Sequence, residues 1–267
     1  MKLAVAAVAL ALAASPADYV ASHQQSDGGF AEPGQSSDPS LTAWAVLGLT
    51  SAGREPSRSP VTYLENAPTR TANDVALRIL ALDALGRDTD ALVDRLEDMR
   101  GPGGRIGTLV NSTIWGVIAL RATGRPAGRS VQYLLRVQRR SGGWSWHPRG
   151  APDSNDTAAA VQALRAAGVP PGSPAIRKAV RYLRQAQRQD GGFQLTPGRA
   201  ADTQSTAWAI QAFLAAGKDP GNAAWRYLGQ VRQSDGSYRY SKRYAATPVW
   251  VTSQVLPALF RKPFPLR

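Results

Sequence analysis

Cysteine is missing from all 267 residues, and histidine occurs only as His23 and His147. The first absence excludes disulfides, thiolate nucleophiles, cysteine-ligated zinc and lipid attachment through cysteine. The second excludes a histidine-rich metal centre, so neither metal nor cofactor is expected. Glutamate is scarce, at Glu32, Glu55, Glu65 and Glu97, and lysine makes up only five of the 32 basic residues against 19 acidic ones. The net charge of +13 is thus carried by guanidinium groups. It suits an anionic surface such as the cell envelope, and equally a GC-rich coding sequence; no nucleic-acid partner is expected. Alternation of apolar and polar residues long enough for a strand is also lacking. After the first fifteen residues no apolar run approaches the ~20 needed to cross a bilayer, so no transmembrane segment is expected.

What is present begins with Lys2, an apolar run from Leu3 to Ala14, and small residues at Ala13, Ala14 and Ser15. That pattern predicts a signal peptide over 1–15 and a single secreted or extracytoplasmic domain over 16–267. With 43% apolar and 19% charged residues over all 267, the chain has a globular composition.

Internal repeats organise that domain. Four segments align on a leading tyrosine: Tyr19, Tyr133, Tyr182 and Tyr227. Each has glycine nine residues later (Gly28, Gly142, Gly191, Gly236) and an aromatic eleven later (Phe30, Trp144, Phe193, Tyr238). Gln24, Gln138 and Gln187 share a column that holds Arg232 in the fourth copy. A second unit, from threonine to glycine, follows each: Thr42 to Gly53, Thr113 to Gly124, Thr157 to Gly168, Thr206 to Gly217, with degenerate copies at Val75 to Gly86 and Pro248 to Leu259.

Both units read as helices. Two residues before the threonine column stand Ser40, Asn73, Asn111, Asn155, Gln204 and Ala246, mostly good N-caps, and the glycine column suits left-handed C′ positions. Ser15-Pro16, Ser59-Pro60, Ser173-Pro174 and Asp219-Pro220 start the other helices. Pro174 to Gln189 is amphipathic, with Arg177, Arg181, Arg184 and Arg188 on one side, whereas Leu41 to Ala52 and Ser205 to Ala216 carry no charge. Six apolar helices alternating with six amphipathic ones predict an all-α fold, an inner ring inside an outer ring.

The segment Lys178-Ala179-x-x-Tyr182-Leu183-x-x-x-Gln187-x-x-x-Gly191-x-Phe193 resembles the QW repeat of squalene-hopene cyclases, oxidosqualene cyclases and prenyltransferase β-subunits. The resemblance implies an α6/α6 toroid, with the glutamine meeting a neighbouring helix N-terminus. Asp153-Ser154-Asn155-Asp156-Thr157-Ala158 is similar to the Asp-x-Asp-Asp-Thr-Ala signature of class II cyclases, but the position of the family's proton donor holds Asn155. Asp38 and Asp202 repeat the Asp153 column, so capping also accounts for it. The cysteine-dependent prenyltransferase and thioester chemistries of related toroids are excluded.

Sorting the inner helices at 100° per residue puts aliphatic residues, among them Val46, Val117, Val161, Leu49 and Leu164, on one face. The opposite face holds Trp44, Trp115, Trp208 and Trp250 with Gln162, Gln211, Ser253 and Gln254. These tryptophans either line a lumen or fill it. Arg78 interrupts a column of small residues and needs an anionic partner, Asp74 or a ligand. The rim is expected to carry Trp146 and His147 with an acidic cluster of Asp38, Asp153, Asp156 and Asp202. The resulting expectation is a secreted toroid that binds an apolar, isoprenoid-like molecule through Trp44, Trp115, Trp208, Trp250, Gln162, Gln211 and Arg78, without class II cyclase activity. Alternatives are a structural, protein-binding or envelope-binding module, a degenerate terpene cyclase, or a carbohydrate-active α/α barrel.

Overall fold

The computed structural model describes residues 14–266. The expected signal peptide therefore lies outside them but for Ala14 and Ser15, the latter capping the first helix. Among the described residues there are twelve helices in alternating layers. The inner ring comprises α2 (Pro39–Ser51), α4 (Ala72–Ala84), α6 (Val110–Ala122), α8 (Ser154–Ala166), α10 (Thr203–Ala215) and α12 (Pro248–Leu259). Each packs on the next, and α12 packs on α2 to close the ring. Outside it run α1 (Pro16–Ala21), α3 (Val61–Asn66), α5 (Asp90–Asp98), α7 (Arg129–Val137), α9 (Pro174–Ala186) and α11 (Asn222–Val231). The fold is the expected α6/α6 toroid. A two-residue antiparallel pair, β1 (Phe193–Gln194) with β2 (Ala201–Asp202), and isolated antiparallel bridges are the β-structure among these residues.

One hydrogen bond recurs around the ring. The threonine hydroxyl in the first turn of an inner helix accepts the backbone N–H of the aromatic residue that ends the preceding QW turn. The pairs are Thr42 with Phe30 (2.8 Å), Thr157 with Trp144 (3.0 Å), Thr206 with Phe193 (2.9 Å) and Thr252 with Tyr238 (2.9 Å). Thr113 accepts from Ile106 in the same way at 3.0 Å. Arg100 and Ile106 also form the small antiparallel bridge that Gln24 and Phe30, or Gln187 and Phe193, form elsewhere. Residues 100–106 are thus a fifth QW-type turn, hidden in the sequence because an arginine replaces the glutamine and an isoleucine the aromatic.

Gln24 and Gln138 join neighbouring pairs, Gln138 at a helix N-terminus as the resemblance implied and Gln24 at Arg58 ahead of α3, while Gln187 bonds the Gly191 carbonyl of its own turn. Gln138 Nε2 donates to the Gly142 carbonyl at 2.8 Å and to that of Ala175, in the first turn of α9, at 2.9 Å. The turn glycine is required twice over. Gly142 has φ of 100°, and a Cβ there would lie 2.4 Å from the Lys178 carbonyl oxygen. That contact is too close for any side chain, and the conformation disfavours one.

Two expectations about register change. The N-caps of α2, α4, α8 and α10 are Asp38, Thr71, Asp153 and Asp202, two residues before the Ser40/Asn155 column. These caps are extended, with φ between −117° and −132°, so their side-chain oxygens reach N–H groups three residues on. The asparagine column falls inside the first turn and faces the ring axis. In the sixth unit the clasping hydroxyl is Thr252, so the alignment on Pro248 is four residues out. Trp250 then belongs to the Asn155 column, and Gln254 to the Trp208 column.

Replacing Thr157 by Val should leave the buried Trp144 N–H without an acceptor and destabilise the protein by about 1 to 3 kcal/mol. Urea unfolding measures this, and a change below about 0.5 kcal/mol, the scatter of unremarkable substitutions, would show that the clasp contributes little.

Candidate active site

Because every inner helix starts at the same rim, their first turns converge on one cavity of about 990 Å³. Ser40, Asn73, Asn111, Asn155, Gln204 and Trp250, the column two residues before each clasp position, all line it. The size suits a small-molecule site.

Tryptophans form its floor and walls. Trp44, Trp115 and Trp208 occupy equivalent positions on α2, α6 and α10 and meet edge to face, with ring centroids 5.2 to 5.6 Å apart. Phe264, from the segment after α12, sits 5.9 Å from each of the three. Its backbone N–H donates to Gln162 Oε1 at 2.8 Å. The lumen is therefore filled at depth and open above, so both readings of the tryptophan face hold at different levels. Trp250 lines the wall, and Trp146, half exposed, reaches the mouth from its rim loop.

Opposed to this apolar wall is a chain of polar side chains across three adjacent helices. Asn73 Nδ2 donates to Asn111 Oδ1 at 2.6 Å, and Asn111 Nδ2 donates to Asp156 Oδ1 at 2.5 Å. The Asp156 backbone N–H donates to Asp153 Oδ1 at 2.8 Å, which sets the two carboxyl groups side by side. Asp156 is only 4% exposed. Burial pushes its carboxyl well above the usual carboxylate range, and the neighbouring Asp153 charge pushes the same way, against the Asn111 hydrogen bond. Burial also raises Asp153, with the hydrogen bonds from Asp156 opposing. Two carboxyls so placed do not both ionise readily, and the pair retains a proton to unusually high pH.

The other predicted residues are dispersed. Asp38 and Asp202 cap α2 and α10 by accepting from Leu41 and Ser205 N–H, each at 2.7 Å, so the expected acidic cluster reduces to the Asp153–Asp156 pair. Arg78 does not line the lumen. Its guanidinium points to the outer layer and donates to the Glu65 and Ala67 carbonyls at the end of α3. Asp74 favours the guanidinium only through its charge, since that carboxylate's hydrogen bonds go to the Arg70 and Thr71 N–H groups in a capping box. A helix C-terminus thus supplies the negative end that Arg78 needs. Gln162 and Gln211 are buried behind the cavity, Gln162 holding the Phe264 segment and Gln211 donating to the Gln254 carbonyl at 3.3 Å. Gln254 lines the lumen, its Oε1 accepting from Trp208 Nε1 at 3.1 Å and Gln204 Nε2 at 2.7 Å. Ser253 turns its hydroxyl onto the Val249 carbonyl. His147 is exposed on the rim loop, with Nδ1 near the Arg149 N–H. Glu32 caps α12 through the Val249 and Trp250 N–H groups and so helps to close the ring. Among the described residues no cluster of His, Asp and Glu could hold a metal, and no helix is long and apolar enough to cross a membrane. Sequence reasoning missed Asn73, Asn111, Gln204 and Phe264; the recurring Asn and Gln before the threonine were the available sign, misassigned to capping.

Residues 113–267 match the family described as squalene-hopene cyclase C-terminal domain, and residues 5–94 match the prenyltransferase alpha-alpha toroid domain. A drimenyl diphosphate synthase of Streptantibioticus cattleyicolor is 32% identical over 57% of this chain and 36% of its own length. The chain thus spans about a third of that curated relative. A crystal structure of a protein from Actinoplanes superposes with a TM-score of 0.70 at 20% identity, over 92% of this chain and 97% of the other. A variant of type II terpene cyclase MstE from Scytonema, in complex with geranylgeranyl dihydroxybenzoate, gives 0.71 at 14% identity, over 92% and 95%. These relationships overturn the expectation of a binding module without cyclase activity. The fold neighbours also include glycosidases, at a TM-score of 0.65 and 13 to 14% identity, so the fold by itself does not separate the two chemistries.

A raised carboxyl pKa has a thermodynamic consequence. Above the ordinary Asp value of 3.8 the folded chain holds a proton at Asp156 that the unfolded chain releases, so this group's contribution to stability falls as pH rises through the folded pKa. Asp156→Asn should flatten that decline. Urea unfolding of both proteins at pH 5 and pH 8 tests it, and equal pH dependence in the two would contradict the raised pKa.

Proposed function

The chain belongs to the squalene-hopene cyclase C-terminal domain family, and on that premise we propose that it cyclises a linear polyprenyl substrate by protonating a carbon–carbon double bond. The observation that carries this reading is the Asp153–Asp156 pair, whose carboxyls burial pushes upward, opening onto a tryptophan-walled cavity. The cyclase relative and the terpene cyclase fold neighbours support it.

In this reading Asp156 gives its proton to the terminal alkene carbon, leaving a tertiary carbocation. The π electrons of the next alkene close a ring by attacking it, and the charge passes along the chain until a C–H bond breaks and releases a proton. One C–H forms, one breaks, and the net change is an isomerisation. An alkene is a weak base, so the acid must be fully protonated and water must be kept from the cation. Burial beside a second carboxyl achieves the first, and the apolar walls the second. The faces of Trp44, Trp115, Trp208 and Trp250 offer the cation an attraction of about 2 kcal/mol each when desolvated. Asn155 occupies the family's acid position, and here the role passes to the adjacent Asp156, on the same rim of the same cavity.

Incubation with farnesyl diphosphate, geranylgeranyl diphosphate and squalene, followed by mass-spectrometric product analysis, should yield a cyclic isomer from at least one. Asp156→Asn should reduce its formation by roughly 10² to 10⁴-fold, the range of a general acid. No cyclic product from any substrate, or unchanged turnover in Asp156→Asn, would overturn the reading.

A further inference from the structure

We propose that Phe264 is a specificity-determining residue: it props three tryptophans from beneath, and so sets the depth of the lumen and the number of isoprene units it holds. The isoprenoid identity of the ligand rests on the cyclisation reading; the depth limit is a property of binding and stands without it.

All six inner helices start at the lumen rim and end at the opposite face, and α12 is the last of them. There the chain turns sharply, with Arg261 at φ of 55° and the Lys262 N–H donating to the Pro257 carbonyl at 2.9 Å. The Arg261 guanidinium lies 5.4 Å from the centre of the Trp225 ring on α11, which ties the turn to the outer layer. Doubling back from this turn, the chain carries Phe264 into the ring, where it is only 3% exposed.

Phe264 stands on the ring axis. Trp44, Trp115 and Trp208 come from alternate inner helices, and their centroids form a triangle with sides of 5.2, 5.3 and 5.6 Å. Phe264 is 5.9 Å from every corner, so it lies over the triangle's centre. The three tryptophans line the lumen and Phe264 does not, which puts it on their far side. The ring is built to receive this segment. Gln162 is fully buried on α8, where an amide without a partner is costly, and its Oε1 accepts the Phe264 N–H at 2.8 Å. Trp208 is held in place by the bond from its Nε1 to Gln254 Oε1. Among the described residues Trp44 and Trp115 make no such bond, so these two rings keep their height by packing on each other and on Phe264. Without the phenyl ring an apolar hole would lie directly beneath the floor, and the tryptophans could tilt into it and deepen the lumen.

Binding of 1-alkanols of increasing length to the full chain, read by tryptophan fluorescence, tests this. In the unmodified protein each methylene that enters the lumen should raise affinity about four-fold, until the alkyl chain reaches the floor and the gain stops. In Phe264→Ala the limit should move to alkanols about three carbons longer, the rest of the vacated space being lost to relaxation. Saturating benzene, which occupies apolar holes of this size, should bring the limit back. Phe264→Leu should move it less, and carries the measurement where the alanine variant does not fold. An unchanged or shorter limit in the folded variants, or no alkanol binding by the unmodified protein, would overturn the inference. If cyclisation is measurable, the ratio of kcat/KM for geranylgeranyl over farnesyl diphosphate should rise roughly ten-fold or more in Phe264→Ala. A moved limit in a protein that cyclises nothing upholds the inference and refutes the cyclisation reading, whereas a cyclic product with an unmoved limit does the reverse.

Discussion

The toroid depends on one hydrogen bond repeated around it, from the backbone N–H at the end of a QW turn to the threonine hydroxyl in the first turn of the next inner helix. It fixes where five of the six inner helices begin relative to the turn that precedes them, α4 carrying Val75 at that position. A ring tolerates no accumulating error: six pairs close only if each is rotated by about the same step as the last with no net rise around the ring. The glutamine and glycine of the turn carry that step outward, Gln138 by bonding the first turn of α9 and Gln24 by bonding Arg58 ahead of α3, the glycine by allowing the next outer helix's backbone to come within contact. Where the sequence degenerates, as at Ile106 or in the sixth unit, the bond persists with other residues around it.

The lumen is a product of this alignment. With all inner helices starting at one rim, their first turns place six side chains on one circle, and the next turn down places tryptophans. The tryptophans and Phe264 close the depth, and the polar circle stays open. A carboxyl pair buried in that circle is unfavourable to folding at neutral pH and useful to proton transfer. Stability given up at a functional site is thus made good by the apolar ring behind it, where Val46, Val117, Val161 and Leu164 are fully buried.

Much of the architecture was legible in the chain. Repeated tyrosine, glutamine, glycine and aromatic columns gave the number of pairs, and the uncharged helices gave the inner layer, since a helix without a polar face must be covered on every side. The site was legible only in part. Asp153, Asp156 and the tryptophans were identified, but Asn155 was placed at a cap, Arg78 in the lumen and Asp38 and Asp202 in a cluster. Each error came from a local rule meeting a tertiary fact. Asparagine is a good cap, yet extended Asp153 and its equivalents hold that position two residues earlier. Arg78 needs a negative partner, yet the end of α3 is nearer than any ligand.

Local spacing by itself determined the helices, their pairing, the two layers and the aromatic face, because these follow from the period of the helix and the repeat of the unit. Only the tertiary structure decided which residues meet across the axis: the Asn73–Asn111–Asp156 chain links positions 38 and 45 residues apart, and Phe264 reaches Gln162 over 102. Ring closure makes these residues neighbours, and burial in the closed ring, which no stretch of sequence contains, pushes the Asp156 carboxyl above the usual carboxylate range.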